Sequence, residues 1–141
     1  EISACLVGSE MCIRDRTNEA LAAADQLSAD GIGAEVLKLG QIQPLETDCI
    51  LRSLQKTGRL IVAEDVCAAG CIGARILTAA AQNGMELKVS RLINLKNGLI
   101  QHGAPAVLIE KCGLNADAIV AAARDMLTAG EGNTQHEENQ T

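Results

Sequence analysis

Apolar positions recur along this chain with two periods, one of about four residues and one of short continuous runs, and the two alternate. TNEALAAADQLSADG places Ala20, Leu21, Ala24 and Leu27 on one helical face, which predicts a helix over 17–31. Thr17 or Asn18 suits its start, Glu19 sits where the helix dipole favours an anion, and Gly31 and Gly33 end it. AEVLKLG (34–40) then reads as a strand. Pro44 breaks it, and a second helix follows from about Glu46 to Lys56, with Cys49, Ile50, Leu51 and Leu54 inward and Gly58 as its stop.

RLIVAED (59–65) carries four consecutive apolar residues, Leu60 to Ala63, as expected of a parallel strand covered on both faces. The chain turns through Gly70 and Gly73 into a helix over Ile72–Gln82, which Gly84 ends. ELKVSRLI (86–93) alternates apolar and polar positions, so it belongs near a sheet edge. A loop, a short helix from Pro105 to Cys112 and a last helix from Asn115 to about Leu127 complete the pattern. The order predicts an α/β fold of three α/β/α layers around a mostly parallel sheet of four to five strands. The domain is expected to cover 17–128, and the polar tail 129–141 to be disordered.

The first sixteen residues, EISACLVGSEMCIRDR, do not share this pattern. They are what DNA resembling a sequencing-library adapter encodes: a flow-cell end, an index and a transposon end. Glu1–Arg16 is therefore expected to be non-native, and the first native strand to be missing or replaced.

Composition narrows the function. The chain has 141 residues, enough for one domain with a core. It contains no Phe, Trp or Tyr, which removes the rings on which single-stranded nucleic acid stacks. Twelve basic and eighteen acidic residues give a net charge of −6, so phosphate backbones are repelled and no nucleic-acid partner is expected. No apolar run approaches the ~20 residues that span a bilayer. A cytoplasmic protein without membrane contact is expected. The six cysteines, Cys5, Cys12, Cys49, Cys67, Cys71 and Cys112, form no CxxC pair and favour small buried apolar roles over zinc.

Catalytic signals are sparse. Gly70-Cys71-Ile72-Gly73, after a strand and before a helix, is a candidate anion contact, because N–H groups at a helix start hold phosphate. The competing reading is a tight turn that packs helix against sheet. Glu64 and Asp65 close the central strand, where α/β folds form their ligand crevice, and a carboxylate pair there serves either proton transfer or a contact with a loop or subunit. His102 lies in a loop, as a general acid or an interface contact. Cys67 and Cys71 are a possible redox pair, without thioredoxin spacing. No catalytic residue, cofactor ligand or metal ligand is assigned.

QPLETDCI, KTGRLIVAED and AAGCIGARIL together resemble the transketolase carboxy-terminal domain family. The end of the chain, Ile100–Gly103 followed by Gly113–Ala116, is most similar to that domain in the 1-deoxy-D-xylulose-5-phosphate synthases. Gly70-Cys71 departs from the glycine pair usual there. The resemblance implies a thiamine-diphosphate- and Mg²⁺-dependent dimeric parent that condenses pyruvate with glyceraldehyde 3-phosphate. It also implies that the cofactor is held by the preceding domains, and that the terminal domain packs on them and helps assemble the dimer. The end of a 2-oxoacid dehydrogenase β subunit or of a transketolase is the nearest alternative. A small module that binds phosphorylated metabolites is an alternative of another class.

Overall fold

The computed structural model describes residues 2–7, 16–95, 107 and 110–131. Four parallel strands form one sheet in the order β2-β1-β3-β4: β1 (Ile2–Val7), β2 (Ala34–Leu39), β3 (Arg59–Cys67) and β4 (Val89–Leu95). Helices α1 (Arg16–Ala29), α2 (Thr47–Thr57), α3 (Ile72–Gln82) and α4 (Ala116–Glu131) accompany them.

The layers follow from the alternation of β3. Ile61 and Ala63 pack with Ala20, Ala23 and Leu27 of α1 and Ile119, Ala123 and Met126 of α4. Leu60 and Val62 pack on the other side with Ile50 and Leu54 of α2 and Ile76 and Ala80 of α3. Every residue from Leu60 to Glu64 is buried, as the continuous apolar run requires. β4 lies at an edge, as its alternation implies.

Several expectations need correction. Leu21 is 48% exposed, and Ala23, at 1%, takes its place on the core stripe of α1. Thr17 and Asn18 lie inside the first turn of α1 and do not precede it. β4 begins at Val89, three residues later than expected, because Val89 faces Arg59, the first residue of β3, and earlier residues have no β3 partner. β3 itself runs two residues further, to Cys67. α4 continues to Glu131, into the segment expected to be disordered. The expected Pro105–Cys112 helix is described only at Val107, which is exposed, and at Glu110 and Lys111, all helical; the rest of it, and residues 132–141, lie outside the described residues.

The slot expected to be empty or refilled is taken by Ile2–Val7. This strand is central: it pairs with β2 from Ile2↔Ala34 to Val7↔Leu39, and with β3 from Ser3↔Leu60 to Val7↔Glu64. A short apolar run meets the demand of a position with a ladder on each side, and Ile2 is fully buried.

Candidate functional site

The carboxyl end of β3 and the start of α3 form one unit. Between Ala63 and Cys67 the pairing of β3 with β4 slips, so β3 bulges where it ends. Glu64, just past Ala63, is 1% exposed, and by alternation it follows Leu60 and Val62 onto the α2–α3 side. Its Oε2 accepts the N–H of Ile72 at 2.8 Å, and its Oε1 accepts that of Gly73 at 3.0 Å. These are two of the first N–H groups of α3, which an α-helix leaves without internal partners. Cys71, at the N-cap, makes no side-chain cap of its own. The carboxylate of Glu64, eight residues before Ile72, does that work.

Gly73 permits the approach. A Cβ there would lie 2.5 Å from Cδ2 of Leu92 and 3.2 Å from Oε1 of Glu64. The Gly70–Gly73 segment, singled out as a contact for an external anion, therefore already faces an anion: Ile72 and Gly73 give their N–H groups to the chain's own carboxylate. Gly70 itself has φ +77°, in the turn that leads to buried Cys71. The tight turn with close helix–sheet packing is the reading that this geometry supports.

The other sequence candidates are not gathered into one site. Asp65 is exposed while Glu64 is buried, so the two neighbouring carboxylates share no common pocket. Cys67 is exposed and Cys71 buried, and both are free thiols, as are half-buried Cys49 and Cys112. His102 lies outside the described residues. Among the described residues, no group of three or more His, Cys, Asp or Glu side chains is arranged to hold a metal ion. No described helix is long and apolar enough to cross a membrane.

Arg75, which the sequence did not single out, and Glu19, expected only as an anion at the start of its own helix, join distant elements here. Arg75 on α3 donates from Nη1 to the carbonyl of Ile42 at 3.2 Å and from Nη2 to Oε1 of Gln43 at 3.0 Å. It ties α3 to the turn before α2 and borders an open groove of ≈ 380 Å³ that runs from Leu45 and Thr47 to Gly70 and Cys71. Glu19 on α1 accepts the N–H of Ala116 at 2.8 Å, at the start of α4. Partners 33 and 97 residues apart leave no local pattern to read.

Residues 15–119 match the family model described as transketolase, C-terminal domain. The chain belongs to this family. Its relatives include the 1-deoxy-D-xylulose-5-phosphate synthase of Heliobacterium modesticaldum, 35% identical over 107 residues, which are 76% of this chain and 16% of that protein. A 6-deoxy-6-sulfo-D-fructose transketolase subunit of Clostridium sp. is 37% identical over 109 residues, 77% of this chain and 33% of the subunit. A solved structure, a split gene transketolase as an inactive beta4 tetramer, superposes with a TM-score of 0.74 at 26% identity, over 91% of this chain and 39% of that one. The chain thus spans about a sixth of the synthase and a third of the subunit. The match to the transketolase C-terminal domain begins at residue 15, after β1.

Proposed function

We propose that this transketolase C-terminal domain belongs to a 1-deoxy-D-xylulose-5-phosphate synthase, and that it serves the parent by packing against preceding domains and assembling the dimer. The observation that carries this reading is the run of synthase relatives: several match this chain over 16–18% of their own length at 28–36% identity. The parent reaction is then the condensation of pyruvate with glyceraldehyde 3-phosphate, with release of carbon dioxide. Its place is the cytoplasm.

Such a parent uses thiamine diphosphate and Mg²⁺. The described residues of this chain do not fit either group. The two N–H groups at the start of α3 are engaged by Glu64, and among the described residues no cluster of metal-binding side chains is found. No step of the reaction is therefore assigned to Glu64 or Asp65, and the cofactor falls to the preceding domains.

Complementation tests the proposal. A synthase truncated before its last domain, joined to this chain, regains formation of 1-deoxy-D-xylulose 5-phosphate from the two substrates, while the chain alone forms none. Turnover by the isolated chain, or a joined enzyme that assembles and stays inactive, would sink it. A second reading, the end of a split transketolase subunit, is favoured by the 37% identity to the Clostridium subunit and by the fold match to the split gene transketolase. Restored ketol transfer on joining to that subunit's missing portion, without synthase activity, selects it.

A further inference from the structure

We infer that Glu64 is a positioning residue that acts as a built-in anion: the charge of its carboxylate, more than the space it fills, holds the start of α3 and with it the exposed Asp65–Gly70 segment, the end of β3 and the turn after it.

The segment that follows Glu64 returns to the Glu64 side chain. Glu64 is the last buried residue of β3, the six residues from Asp65 to Gly70, which finish β3 and form the turn after it, are all exposed, and Ile72 and Gly73 return to the Glu64 carboxylate. The Cys67↔Leu95 pairing holds the strand part of this segment, and the two hydrogen bonds to Glu64 close its return into α3. Both donors lie at the positive end of the α3 dipole, where a negative group is favoured. Each oxygen of the carboxylate takes one donor. A neutral amide of the same size has one acceptor oxygen, and its NH2 would face the second N–H. Space alone also fails to explain the pairing, because Gly73 already brings Leu92 and Glu64 as close as a missing Cβ allows. The segment lies at the carboxyl end of a central parallel strand, the side on which open α/β sheets meet their ligands and partners. Glu64 therefore sets the shape of this rim without contacting whatever meets it. The inference holds for either parent enzyme considered above.

Amide hydrogen exchange on the full 141-residue chain tests it, read at Ile72, Gly73 and the Asp65–Gly70 segment, at fixed pH and ionic strength. Glu64→Ala is expected to speed exchange at Ile72 and Gly73 by about tenfold or more, as fits the loss of a charged partner. Added formate, which restores a carboxylate without the tether, returns the protection, and formamide, its neutral counterpart, does not. Equal rescue by formamide overturns the inference, as does wild-type protection in Glu64→Ala. Should Glu64→Ala fail to fold, Glu64→Gln keeps the size and removes the charge. Loss of protection at one or both amides supports the inference, and wild-type protection at both overturns it.

Discussion

The starts of α3 and α4 solve the same problem with different means. At α4, Oδ1 of Asn115 accepts the N–H of Ala118 at 3.0 Å, as a residue before a helix commonly does. Glu19, reaching over from α1, takes the N–H of Ala116. Two side chains thus serve one donor each, and both are half-buried, so water can replace either. At α3 one carboxylate serves two donors at 1% exposure, and Cys71 adds no side-chain cap. The same hydrogen bond is replaceable at the first helix end and indispensable at the second, because burial decides what happens to a donor left alone.

Glu64→Ala should therefore show the largest effect. Each buried donor stripped of its partner costs about 1–3 kcal/mol, so two cost about 2–6 kcal/mol. Denaturant unfolding measures this, and a loss near that of Glu19→Ala would erase the contrast between the two ends. Gly73→Ala comes next, at about 1–3 kcal/mol, because the added methyl overpacks against Leu92. The same substitution in a Leu92→Ala background should cost less, since the clashing Cδ2 is gone. A double-mutant cycle with no coupling would show that Gly73 is not kept by this contact. Glu19→Ala and Asn115→Ala should each cost about 1 kcal/mol, and their effects should add, since they cap different donors.

The sequence made the local part of this picture readable. The bounds of α3 follow from a glycine turn and a clear helical period, and the double burial of β3 follows from Leu60–Ala63. Glu64 was visible as a strand-end carboxylate eight residues before a helix start. What stayed hidden was that the helix start is its partner, because a carboxylate at that place also suits a metal or a substrate. Leu21 was misplaced because an apolar residue beside the stripe satisfies the period nearly as well as Ala23 does. Adapter-like DNA encodes Ile2–Val7, but a central strand slot asks only for a short apolar run, which these residues supply. The cap by Glu19 had no local trace at all.

The smallest effect sharpens the comparison most. Glu19→Gln keeps one carbonyl oxygen, and Glu19 has a single donor to satisfy, Ala116. The half-buried site lets the amide's NH2 turn to water. The cost should stay within roughly 0.5 kcal/mol, the charge contributing only through the partly solvated helix dipole. Glu64→Gln is an equally conservative change, yet its NH2 must face a buried N–H, either that of Ile72 or that of Gly73. The two amide variants should therefore differ severalfold more in unfolding free energy than their shared chemistry suggests. Equal losses in the two would mean that charge governs both helix ends and that burial at the end of β3 adds nothing.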